Sequence, residues 1–217
     1  MITRLLWVLC CLGLLPAWGC LSEVNHDGIL TVACLGDSNT QRDWPTVGTV
    51  RWCENASALL TSSSVTENGT FKTEPVVWNN WGVGGATVCD PGIVWSWGMT
   101  QLAQAATADV LILAFGTNDI LRLHKTPAEI VACYQAVTTA AGVRSVFVAL
   151  SPPVLGQYAG SESQIEAMNA AIVAAIPANH VIDFFSGMTP ELYIDELHLN
   201  DTGQALRAQR AVTALKQ

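Results

Sequence analysis

The chain has 217 residues, half of them hydrophobic and 13% charged, which allows a sizeable buried core and excludes a disordered segment. A formal net charge of −8 argues against nucleic acid as a partner, because phosphate binding needs basic patches and none is present. This length fits one domain.

Residues 1–19 read as an export signal and 20–217 as the folded domain. Arg4 gives a positive flank, residues 5–15 an apolar run, and Ala17-Trp18-Gly19 small residues at the spacing of a cleavage site. The run is too short to span a bilayer as a helix; a retained apolar anchor is the other reading. A secreted or periplasmic location follows. Cleavage after Gly19 leaves Cys20 first, as at a bacterial lipoprotein site, although Ala17 and Trp18 fit that pattern poorly. Membrane contact is therefore expected only through a lipidated Cys20.

Residues 29–34, apolar and β-branched, read as a buried first strand. Gly36-Asp37-Ser38 follows it, with a helix expected to start at the serine. A loop over 41–45, a short helix over 50–60 and a polar surface loop over 61–70 come next. Residues 74–78 read as a second strand running into Gly82-Val83-Gly84-Gly85. A helix over 99–108 precedes the clearest strand, 109–115, which ends at Gly116-Thr117-Asn118-Asp119.

Thr126-Pro127-Ala128-Glu129 starts a helix with a capping box, and Gly142 ends it. A strand over 145–150, a Pro/Gly loop over 151–162, a helix over 164–176 and a short strand over 180–184 follow. The chain then reaches Asp195-Glu196-Leu197-His198, and Asp201 or Thr202 caps a last amphipathic helix.

Strands alternating with helices predict a three-layer α/β/α sandwich around a doubly wound, parallel, five-stranded, flavodoxin-like sheet of order 2-1-3-4-5. In that order the loops carrying Ser38, Gly85 and Asn118 converge on one rim, beyond the carboxyl ends of the strands.

A serine hydroxyl needs a base to take its proton and donors to hold the oxyanion formed on attack. Asp195 and His198, three residues apart, fall on one side of a helical turn, where the carboxylate can hold Nδ1–H and leave Nε2 for the Ser38 proton. Alone, such a pair is more often a surface ion pair. The Ser38 N–H, an N–H of the Gly84-Gly85 turn and the Asn118 side-chain amide are the candidate oxyanion donors. Gly82-Val83-Gly84 also echoes a dinucleotide loop but lacks the third glycine.

Gly36-Asp37-Ser38, the glycine turn around Gly85, Gly116-Thr117-Asn118-Asp119 and Asp195-x-x-His198 resemble, in this order, the four sequence blocks of the SGNH, or GDSL, hydrolases. The resemblance implies Ser38 as nucleophile, Gly85 and Asn118 as oxyanion-hole donors, His198 as general base and Asp195 as its orienting partner. It implies two-step ester hydrolysis with neither metal nor organic cofactor. Glu196 stands where the family often has glycine.

The expected function is a secreted serine esterase acting on small-molecule or carbohydrate esters, with acetyl groups on carbohydrate first. A lysophospholipase or thioesterase acting on longer acyl chains is the nearest alternative. A non-catalytic, exported carbohydrate-binding domain is the alternative of another class. Trp44, Trp52, Trp78, Trp81, Trp95 and Trp97 could stack on sugar faces, line an acyl pocket or simply pack. His26 and His180 read as structural, whereas His124 follows the Asn118 loop. Asn55, Asn68 and Asn200 begin glycosylation sequons.

Cys34, Cys53, Cys89 and Cys133 remain in the domain besides Cys20. Cys34 falls in a strand and Cys133 on a helix, where buried free thiols are ordinary. Cys53 and Cys89, in less regular stretches, are the expected bridge. No Cys/His spacing suggests a metal.

Overall fold

The computed structural model describes residues 28–42, 50–67, 70–89, 102, 105, 107–142 and 145–216. The expectations for residues 1–20, His26, Trp44, the Asn68 sequon, Trp95, Trp97 and most of the 99–108 helix lie outside the described residues.

The sheet is built on β1 (Leu30–Gly36), which is buried along almost its whole length. It pairs in parallel with β3 (Thr70–Asn80) on one side and β4 (Val110–Ala114) on the other. Beyond β4 lie β5 (Ser145–Ala149) and β6 (Val181–Ile182), also parallel. On the far side of β3, β2 (Ser62–Glu67) adds an antiparallel edge. The order is β2-β3-β1-β4-β5-β6, so the sheet has six strands where five were expected. The added strand comes from residues 61–70, read from sequence as a loop. Ser and Thr suit an edge strand as well as a loop, so this run does not by itself mark irregular backbone.

Helices cover both faces, which is why β1, β4 and β5 are predominantly apolar. α1 (Trp52–Leu59) and α5 (Asp201–Leu215) lie on one face; α2 (Thr117–Leu121) is a single turn after β4; α3 (Pro127–Ala141) and α4 (Glu162–Ala175) lie on the other. Strand alternation sorts the core. Val32, Ile112 and Phe147 meet Trp52, Ala208 and Val212 of α1 and α5, whereas Leu111, Leu113 and Val148 meet Ile130, Tyr134 and Met168 of α3 and α4.

α3 begins on the capping box expected for it, with Thr126 Oγ1 accepting from Glu129 N and Glu129 Oε2 accepting from Thr126 N. α5 starts one residue earlier than read. Asn200 is the cap, its Oδ1 accepting from Gly203 N at 3.1 Å while its Nδ2 donates to Glu191 O at 2.7 Å. Both ends of the amide in that sequon are thus engaged. Asp201 instead occupies the first turn, where a carboxylate favours the helix dipole.

The expected Cys53–Cys89 bridge is overturned: Cys34 pairs with Cys53 and Cys89 with Cys133. Strand alternation points Cys34 at the α1 face, where Cys53 sits in the same core cluster. The segment after Gly85 runs beside α3 and meets Cys133. Cysteines in regular elements bridge whenever packing puts their Cα atoms within reach, here 6.3 and 5.0 Å. Among the described residues no helix is long and apolar enough to cross a membrane.

Candidate active site

At Gly36 a Cβ would sit 2.2 Å from Thr40 Oγ1 and 2.7 Å from the Ala114 carbonyl, so only glycine lets the chain fold back here. Asp37 to Gln41 form one tight turn, Thr40 N and Gln41 N both donating to Asp37 O at 2.9 Å. The helix expected from Ser38 does not form. The turn's carbonyls instead accept from side chains elsewhere in the fold: Asn39 O from Gln204 and Arg207, Thr40 O from Asn80, and Gln41 O from Arg51. The Ser38 N–H therefore belongs to a turn, without the helix dipole expected to reinforce it.

His198 comes from a loop closed by the bridge between Tyr193 and Leu199. Asp195 organises that loop. Its Oδ1 accepts from Leu197 N at 2.7 Å and His198 N at 2.6 Å, and its Oδ2 accepts from His198 Nδ1 at 2.8 Å. With Nδ1 protonated against the carboxylate, Nε2 carries the lone pair, and it lies 2.9 Å from Ser38 Oγ. Partial burial pushes the Asp195 carboxyl up, but the imidazole and the two N–H donors outweigh it and hold it below the usual carboxylate range.

The loop after β3 continues along β1, Trp81 N donating to Cys34 O and Val83 N to Gly36 O, both at 2.9 Å. Gly84 N is engaged by Gln41 Oε1, and Gly85 follows at φ +75°, a conformation that favours glycine. Asn118, buried in α2, donates from Nδ2 to Ala86 O at 3.2 Å. That uses one of its two amide hydrogens. Ser38, Gly85 and Asn118 thus leave the carboxyl ends of the adjacent strands β1, β3 and β4. Among the described residues no group of three or more His, Cys, Asp or Glu side chains could hold a metal ion.

Several residues around the site were not singled out from sequence. Asn39 bonds to the backbone on both sides of His198. Glu196, noted only as a departure from the family pattern, accepts from Gln157 N through its carboxylate and from Leu155 N through its carbonyl. Asp119 is fully buried and accepts from Val88 N and Cys89 N, fastening the segment after Gly85 to α2. Its place beside Asn118 was the available signal. The remaining candidates scatter. Trp52 is core, in edge contact with Phe184, and His180 is buried against Val146 O. His124 is exposed at φ 51°. Trp78 and Trp81, half-buried, line a cleft of about 370 Å³ with Arg42, Glu54 and Asn80.

Burial raises the Asp119 carboxyl from 3.8 to about 6, the two N–H donors opposing it. A raised folded value means that the native state holds this proton more tightly than the unfolded chain. The group's contribution to stability therefore falls as pH rises from about 4 to about 6, by about 3 kcal/mol in all. Asp119→Asn should erase that slope. Urea unfolding at pH 4 and 7 should show wild type losing about 2 kcal/mol relative to the variant; an unchanged difference would refute the assignment.

A sequence model described as the GDSL-like lipase/acylhydrolase family matches residues 34–206. No curated protein sequence matches. Solved structures do, at identities that speak to fold alone. A carbohydrate esterase family 3 protein from Talaromyces cellulolyticus aligns at 21% identity and TM-score 0.61, over 86% of this chain and 96% of that one. A G-D-S-L family lipolytic protein from Veillonella parvula aligns at 23% and 0.63, over 85% and 97%. Axe2, an acetylxylan esterase from Geobacillus stearothermophilus solved as a catalytic mutant, aligns at 12% and 0.63, over 90% and 97%.

Proposed function

Because the chain belongs to the GDSL-like lipase/acylhydrolase family and is thereby a carboxylic ester hydrolase, we propose that it works through Ser38, His198 and Asp195. The observation that carries this reading is the unbroken line from Ser38 Oγ to His198 Nε2, 2.9 Å, and from Nδ1 to Asp195 Oδ2, 2.8 Å. Ser38 Oγ attacks the acyl carbon as its proton passes to Nε2, and Asp195 holds the imidazolium that forms. The oxyanion accepts from the N–H groups of Ser38 and Gly85 and the free amide hydrogen of Asn118. Collapse expels the alcohol, which leaves with the proton from Nε2. Water then attacks the acyl-enzyme by the same route, returning the serine.

The substrate we assign is a short acyl ester, an acetyl group on carbohydrate first. Trp78 and Trp81 line a cleft with polar Arg42, Glu54 and Asn80, a composition suited to sugar rings, and Asn80 Nδ2 donates to Thr40 O of the nucleophile turn at 2.6 Å. The carbohydrate and acetylxylan esterases of the same fold support that choice. Two disulfides and the apolar N-terminus support export.

A fluorophosphonate probe should label Ser38, and p-nitrophenyl esters of rising chain length should give a kcat/KM at least about tenfold higher for acetate than for octanoate. An unlabelled Ser38 would refute the nucleophile, and a preference for octanoate the substrate.

A further inference from the structure

We propose that Asn39 is a positioning residue that sets the distance between Ser38 and His198, an inference that rests on the triad reading above. Asp195 orients the imidazole, but both belong to one loop and move together. Glu196 ties that loop to Leu155 and Gln157, not to the backbone of the serine turn. The Asn39 side chain supplies the link. Its Nδ2 donates to Leu197 O at 3.1 Å and its Oδ1 accepts from Leu199 N at 3.1 Å. The carbonyl before His198 and the N–H after it are thus held by one amide, as a neighbouring strand would hold them.

Partners of opposite sense fix which way the amide faces. The residue is buried, 3% exposed, so water does not readily replace either bond. Its own backbone is anchored too: N donates to Asp37 Oδ1 at 2.9 Å, and O accepts from Gln204 Nε2 at 3.2 Å and Arg207 at 3.3 Å. Since Asn39 is covalently next to Ser38, the His198 backbone becomes fixed relative to the nucleophile. Only a short side chain with one donor and one acceptor fits. Leucine has neither, and aspartate at neutral pH sets a carboxylate oxygen against the Leu197 carbonyl.

The test measures kcat, KM and the fraction of active sites titrated by a fluorophosphonate for wild type, Asn39→Leu and Asn39→Asp. A shift of about 1 Å between nucleophile and base is worth about 100-fold. Asn39→Leu should lose about 30- to 100-fold in kcat per titrated site with KM within about twofold, and its labelling rate should fall in proportion. Asn39→Asp, of equal size, should lose about tenfold at neutral pH and decides the matter if the leucine variant does not fold. A wild-type kcat per titrated site in either folded variant would overturn the proposal, since a merely structural asparagine would lower only the number of competent sites. Failure of wild type itself to label would overturn the triad reading, and this inference with it.

Discussion

Ser38→Ala should lower kcat about 10⁴-fold or more on p-nitrophenyl acetate, His198→Ala by a similar factor, and the double variant by no more than either alone. The expectation follows from how the two groups are joined. Ser38 Oγ lies 2.9 Å from His198 Nε2 and has no other base within the described contacts of its side chain. Without the imidazole the hydroxyl keeps its proton; without the hydroxyl the imidazole has nothing to activate in the acylation step. Each deletion therefore removes the same event. What survives is the rate that the oxyanion donors give to attack by water. Removing a single oxygen from a residue whose neighbours are held by Asn39 and Asp37 should leave the unfolding midpoint nearly unchanged. Steady-state kinetics with denaturation midpoints measured alongside decide it. Multiplicative losses in the double variant would mean that serine and histidine act in separate steps.

The parts of this site that could be read in the sequence are those where a strand's periodicity stops at a chemically distinctive turn. Val110–Ala114 is apolar at every position and breaks at Gly116-Thr117-Asn118-Asp119, so strand and block announce each other. The Asp195–His198 pair is local, three residues apart, and needs no knowledge of the fold. What could not be read depends on contacts between distant elements. Cys34 was assigned as a free thiol because a strand position says nothing about which helix covers that face. Residues 61–70 were assigned to a loop because Ser and Thr suit an edge strand and a loop equally. Where a helix is expected at Ser38, the turn's carbonyls accept from Arg51, Asn80, Gln204 and Arg207, arriving from 10 to 168 residues away. Asn39 is illegible for the same reason, since its two side-chain partners lie 158 and 160 residues away.

Arg207→Met should destabilise the protein by about 1–3 kcal/mol at pH 7, because it leaves the buried Asp37 carboxylate without the cation that offsets it. The guanidinium is almost fully buried on α5, 4.2 Å from the Phe184 ring and 5.6 Å from Trp52, with a bond to Asn39 O at 3.3 Å. Burial drives its pKa down to about 10, and the Asp37 carboxylate pulls it back up. Asp37 shows the reciprocal effect: burial raises its carboxyl, and the Asn39 N–H, Arg207 and His198 lower it. Methionine fills a similar volume but carries no charge, so the Asp37 carboxyl rises further when Arg207 is gone. A carboxyl raised in the folded state withdraws stability as pH climbs through its titration. The loss should therefore be larger at pH 7 than at pH 5, because a raised carboxyl costs more stability the further pH climbs. Adding Asp37→Asn to Arg207→Met should flatten that pH dependence and recover part of the loss. Urea unfolding of the two variants and wild type at both pH values measures it. A loss below about 1 kcal/mol, or one equal at pH 5 and pH 7, would show that the guanidinium stabilises the turn by packing on Trp52 and Phe184 rather than by offsetting the buried carboxylate.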